Sequence, residues 1–121
     1  VGLWDANLFD YQNLYRVDLN LTKTERLLYH QTQMTHAMLF TGVDMVDGVP
    51  RRWRVENSWG CENGRKGFYA MNDSWFDEYM FEIAAPRSII DEKLLGAFEE
   101  EPTLLPAWDP MGSLAREVCL S

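Results

Sequence analysis

Apolar and polar positions alternate most regularly between Arg51 and Trp59. Trp53, Val55, Asn57 and Trp59 fall on one side; Arg52, Arg54, Glu56 and Ser58 fall on the other. A period of two is the pattern of a half-buried β-strand. Upstream, His36 to Val43 also reads as a strand. His36, Met38, Phe40 and Gly42 share one face, and Ala37, Leu39, Thr41 and Val43 share the other. Both faces are mostly apolar, which predicts burial on both sides. Asp47-Gly48 between the two strands predicts a tight hairpin turn, closed by Pro50. Asn57 is therefore a carboxamide on an apolar face, and burying it without a partner would cost about 1–3 kcal/mol. The facing strand carries one polar side chain on its own apolar face, His36. The pattern alone nominates a His36–Asn57 hydrogen bond across the hairpin.

The flanking segments are less regular. Residues 1–20 scatter Trp4, Phe9, Tyr11 and Tyr15 among polar residues and read as an extended arm or strand-like entry. Thr22 followed by Glu25 has the spacing of a capping box and predicts a short helix, with Leu27 and Leu28 facing the core and His30 to Gln33 ending it. After Trp59 comes a glycine-rich loop, Gly60, Asn63-Gly64 and Gly67, with Arg65 and Lys66 on its surface. Phe68 to Met71 reads as a strand. Ser74 is the expected cap of a short helix through Tyr79, and Met80 to Ala84 reads as another strand stopped by Pro86. Ile90, Leu94, Ala97 and Phe98 recur at helical spacing and predict an amphipathic helix over 90–100. Pro102, Pro106 and Pro110 predict an extended tail, with Trp108 and Met111 as apolar anchors.

Composition narrows the function classes. A chain of 121 residues, 46% hydrophobic and 13% aromatic, has material for one core. Its net charge of −8 repels phosphate backbones, so the segment is a poor nucleic-acid binder. It has no apolar run long enough to span a membrane as a helix. The start at Val1, with neither methionine nor a signal-peptide pattern, is read as a fragment or processed chain. Cys61 and Cys119 match no disulfide framework and no metal-ligand spacing, and are read as free thiols.

A histidine held by an asparagine suggests one chemistry in particular. A cysteine nucleophile needs a base and a third group to orient that base. Asparagine can fix the imidazole tautomer without adding charge. Trp59, on the same face as Asn57, is placed to shield the pair from water. His30, at the polar end of a helix, is read as structural or solvated. Cys61, in a glycine-rich loop with no helix N-terminus behind it to stabilise a thiolate, and Cys119, in a polar tail, are not read as the nucleophile.

Five strings together resemble the bleomycin hydrolase family of papain-like cysteine aminopeptidases. They are Gly2-Leu3-Trp4-Asp5, Thr24-Glu25-Arg26-Leu27, Met34-Thr35-His36-Ala37-Met38, Trp53-Arg54-Val55-Glu56-Asn57-Ser58-Trp59-Gly60 and Leu105-Pro106-Ala107-Trp108-Asp109-Pro110-Met111-Gly112. The resemblance runs from about residue 2 to about residue 115 and implies an α+β fold. Residues 1–101 would be the antiparallel, β-barrel-like half of a papain-like fold with short flanking helices, and residues 102–121 an extended C-terminal arm. It also implies a cytosolic cysteine aminopeptidase acting on peptides and amides, needing no cofactor or metal, and assembled as a homo-hexamer with inward-facing sites.

His36 would be the general base, Asn57 its orienting group and Trp59 the shield. Trp108, Asp109, Pro110, Met111, Gly112, Ser113, Leu114 and Ala115 would line the cleft as an arm restricting cleavage to amino-terminal residues. The family's nucleophilic cysteine and oxyanion-hole glutamine belong to an N-terminal helical half that this chain lacks. The 121 residues alone are thus expected to be inactive, a dead or interaction module, and to expose the apolar face that meets the missing half. The chain also continues for six residues past Ala115, where family members end. In a cleft measured by the chain end, those residues would block the site or require trimming.

Overall fold

The computed structural model describes residues 2–114. Four strands form one open sheet in the order β1-β4-β3-β2: β1 (Leu3–Trp4), β2 (Leu39–Val46), β3 (Val49–Glu56) and β4 (Phe68–Asn72). β2 and β3 are the expected hairpin. Asp47 and Gly48 both take positive φ, 50° and 80°. This is the mirror-image turn whose twist matches the strands it joins. β3 pairs antiparallel with β4, placing Val55 opposite Tyr69 and Trp53 opposite Met71. β1 joins β4 in parallel, Leu3 beside Ala70.

The barrel-like expectation is corrected. The sheet does not close, because its two edges are the two-residue β1 and the hairpin strand β2. The expected two-sided burial of the first hairpin strand is also overturned. β2 is an edge strand, with Leu39, Val43, Met45 and Val46 exposed. It begins at Leu39, leaving His36 in an extended segment before it. Leu39 pairs with Glu56 at the end of the β2–β3 ladder, and the Asn57 N–H donates to the Gly67 carbonyl at 3.1 Å, continuing the β3–β4 side.

The arrangement of elements around the sheet follows from local polar chemistry. The amino-terminal segment is an expected strand only at β1. It then forms α1 (Tyr11–Tyr15), whose first turn is held by the Asp10 carboxylate accepting the Asn13 N–H. The capping box starts α2 (Lys23–Leu28) as expected, Thr22 and Glu25 satisfying each other's backbone N–H groups. Leu27 is half-buried, but Leu28 is exposed. In α3 (Asp73–Tyr79), Ser74 lies inside the first turn, and its hydroxyl donates to Asp5 at 3.1 Å in place of capping the helix.

α2 in turn closes the other end of α3. Lys23 donates to the Asp77 and Met80 carbonyls, and Arg26 donates to the Glu78 carbonyl at 2.9 Å. Cations on the orphan carbonyls of a helix C-terminus satisfy them and oppose the dipole. With its carbonyl taken, Met80 does not start a strand, and the strand expected over Met80–Ala84 is absent.

The core is small and sits between β3 and α3. The Trp53 and Phe76 rings stack at 4.6 Å, Phe40 meets both edge-on, and Trp53 Nε1 donates to Asp73. Among the described residues, Val55 and Met71 are the fully buried apolar side chains. Beyond the core, α4 (Glu92–Gly96) and a 3-10 turn over Ala97–Glu99 occupy most of the expected 90–100 helix. The tail is not extended to its end, since Pro110–Leu114 forms a 3-10 turn beside α2. No helix among the described residues is long and apolar enough to cross a membrane.

Candidate active site

His36 Nε2 lies 2.9 Å from Asn57 Oδ1. The strand alternation of β3, continued by one residue, carries Asn57 onto the side of buried Val55, where it is only 7% exposed. The hairpin brings the segment before β2 alongside it. The amide orientation is fixed by a neighbour, because the Ser58 N–H donates to the same Oδ1 at 2.8 Å. Rotating the carboxamide would set Nδ2 against that N–H, donor against donor. Oδ1 can only accept, so Nε2 of His36 carries the proton and donates it. Nδ1 is thereby left as the basic nitrogen. Asn57 Nδ2 is buried without a partner among the described residues, so Oδ1 alone holds the group in place.

Trp59 lies against this pair. Its ring stacks on the imidazole at 5.2 Å and 22°, and the residue as a whole is 56% exposed. Gly60 and Gly67 let the chain turn sharply after Trp59, both at positive φ.

The other nominated residues are placed elsewhere. Trp108 is 80% exposed and Met111 is half-exposed. Asp109 organises the arm locally, its carboxylate accepting the Met111 N–H and its carbonyl the Gly112 N–H. Pro110, Ser113 and Leu114 belong to the same turn, and Ala115 lies outside the described residues. His30 is exposed at positive φ where α2 ends, which fits the structural reading. Cys61 is an exposed free thiol in the glycine-rich loop. Cys119 lies outside the described residues.

Two participants were not nominated from the sequence, and both are backbone groups: the Ser58 N–H that orients the carboxamide and the Gly67 carbonyl that anchors Asn57. A side-chain pattern carries no sign of either. No group of three or more histidine, cysteine, aspartate or glutamate side chains among the described residues could hold a metal ion.

The chain is similar to known proteins. The model of the peptidase C1-like family matches residues 1–112. Bleomycin hydrolase of Homo sapiens is 49% identical over 119 residues, covering 95% of this chain and 26% of that protein. Aminopeptidase C of Lactobacillus helveticus is 43% identical over 117 residues, covering 94% of this chain and 26% of that protein. The crystal structure of PepW from Lactobacillus rhamnosis HN001 superposes with a TM-score of 0.80 at 40% identity, over 93% of this chain and 26% of that one. The chain thus spans about a quarter of the length of the relatives it matches. With the match running almost from end to end, this chain belongs to the peptidase C1-like family, the cysteine peptidases that include bleomycin hydrolase and aminopeptidase C.

Proposed function

We propose that this chain supplies the base and its orienting amide, His36 and Asn57, of a Cys-His-Asn triad in a cysteine aminopeptidase. The nucleophilic cysteine comes from outside these 121 residues. The observation that carries the reading is the doubly fixed Oδ1 of Asn57, which accepts from Ser58 and His36 and leaves Nδ1 free. In the reaction, Nδ1 takes the thiol proton. The thiolate attacks the carbonyl carbon of the substrate amide, and the imidazolium returns the proton to the leaving amine. Water, deprotonated by the same nitrogen, then splits the thioester and releases the thiol. Trp59 screens the imidazolium. No metal or cofactor takes part in these steps.

The substrates are peptides or small amides with a free amino terminus, the class that the names of the relatives point to. Residues 1–101 act as the base-bearing half. Residues Trp108–Ala115 act as an arm along the cleft, limiting cleavage to the end residue, in a cytosolic homo-hexamer. The exposure of large apolar residues such as Phe98, Leu104 and Trp108 supports a chain that meets further protein.

The test is turnover of an aminoacyl fluorogenic amide by the full-length protein. Substituting His36→Ala lowers kcat by on the order of 10²–10⁴-fold, the usual contribution of a positioned base. Turnover that survives the substitution sinks the assignment.

A further inference from the structure

Four aromatic rings run in series away from the base. The His36 ring stacks on Trp59, Trp59 meets Tyr69 edge-on at 6.3 Å and 88°, and Tyr69 stacks on Trp4 at 4.7 Å and 18°. Edge-to-face and offset-stacked rings are the arrangements that the aromatic quadrupole favours. Tyr69 sits opposite Val55 in the β3–β4 ladder, two residues before Asn57, so its ring leaves the sheet on the side of the candidate site.

The position of Tyr69 is built by glycines. A Cβ on Gly2 would stand 2.5 Å from Tyr69 Cδ1. A Cβ on Gly64 would stand 2.9 Å from Tyr69 Cε2 and 2.6 Å from the Phe68 carbonyl oxygen. Neither approach is possible for a larger residue without displacing the ring. The Gly2 wall is held by backbone pairing, since its carbonyl accepts the Ala70 N–H at 2.8 Å. Trp4 closes the far side from β1. Trp59 itself is more than half exposed.

We propose that Tyr69, clamped by Gly2 and Gly64 and backed by Trp4, is a positioning residue that holds the Trp59 indole over His36. The proposal rests on the reading of His36 as the base, but it concerns the shield and not the base itself. Tyr69 acts on the imidazole through Trp59. The amino-terminal strand β1 thereby becomes part of the site's support, although it is remote from His36 in sequence.

The experiment uses the full-length protein with histidine labelled at Cε1. A stacked indole shifts the His36 resonance upfield by ring current, and Trp59→Ala identifies that signal by moving it. Tyr69→Leu keeps apolar volume but removes the ring. It is expected to move the His36 signal toward its position in Trp59→Ala. It should also lower kcat roughly 2- to 12-fold, the equivalent of one aromatic pair, with KM within about twofold. Tyr69→Phe restores both the signal and kcat.

A His36 signal unmoved in Tyr69→Leu overturns the proposal. So does a shift of equal size in Tyr69→Phe, which would assign the effect to the hydroxyl. Should Tyr69→Leu fail to fold, Trp4→Leu loosens the same ring from its far side and must move the signal in the same direction; no movement there overturns the proposal too. The underlying reading fails separately. If His36→Ala retains turnover while the ring-current results hold, His36 is not the base, yet Tyr69 still positions Trp59.

Discussion

Replacing Asn57 with alanine separates its effect on stability from its effect on chemistry. The side chain makes two hydrogen bonds through one oxygen, to His36 at 2.9 Å and to the Ser58 N–H at 2.8 Å. Losing them costs about 1 kcal/mol each. The same substitution removes Nδ2, which is buried without a partner among the described residues and carries a desolvation penalty of about 1–3 kcal/mol. The two sums nearly cancel, so Asn57→Ala should change stability by no more than about 1 kcal/mol.

The effect on turnover does not cancel. When His36 takes the thiol proton it becomes an imidazolium, and the bond it donates to Oδ1 becomes charge-assisted, worth about 1.5–3 kcal/mol. Its loss predicts a fall in kcat of roughly tenfold to hundredfold. The assay is steady-state hydrolysis of an aminoacyl fluorogenic amide by the full-length protein, corrected by thiol titration for active sites, beside thermal melting of the same samples. A large drop in melting temperature with kcat within about twofold of the parent would refute the reasoning, because Asn57 would then be a packing residue.

Other substitutions probe the frame. Arg26 is 11% exposed and donates to the Leu21 carbonyl and to both the carbonyl and carboxylate of Glu78, so Arg26→Ala should destabilise by about 2–3 kcal/mol. That lies below the roughly 3–5 kcal/mol of a fully buried pair because Glu78 is 45% exposed, and urea unfolding measures it. Gly64→Ala forces a Cβ into the Phe68 carbonyl and the Tyr69 ring at φ +61° and should cost about 1–3 kcal/mol, seen as a lower melting temperature. Asp5 accepts the Asn7 N–H, with further bonds from Asn72 and Ser74 and the charge of Arg52 nearby, which hold its carboxyl below the ordinary 3.8. A lowered value means that its stabilisation is present above the unfolded value and lost as pH falls through the folded one. Asp5→Asn should therefore melt below the parent at neutral pH, with the gap closing below pH 3.8. A gap independent of pH would contradict the linkage.

The sequence was most legible where short-range rules act alone. The Asp47-Gly48 turn, the Thr22–Glu25 capping box and the period-two run through Asn57 all depend on neighbours a few residues away, and all three are found. The pairing of His36 with Asn57 was legible because a polar group on an apolar face needs a partner. Strand order was not legible. Nothing local marks β2 as an edge, since its run of apolar residues reads the same whether the sheet closes over it or not. Met80–Ala84 failed for a related reason. Its β-like composition was overruled by Lys23 and Arg26, which capture the end of α3 from more than fifty residues away. The end of the arm was not legible either, because the three prolines predict an extended tail while Pro110–Leu114 closes into a 3-10 turn.

The two-residue turn at Asp47–Gly48 has a consequence for the order in which the site can be assembled. His36 and Asn57 are separated by 21 residues, yet the loop between them is closed by the hairpin itself. Little chain entropy stands between the turn and the paired side chains, so this half of the site can form as early as the hairpin does. The turn also sets which residues meet. A slip of one residue between β2 and β3 would turn the whole Trp53–Val55–Asn57 face of β3 away from the side that carries His36 and leave His36 without an acceptor. Gly48, open on all sides, thus fixes through register the tautomer of a base it never touches.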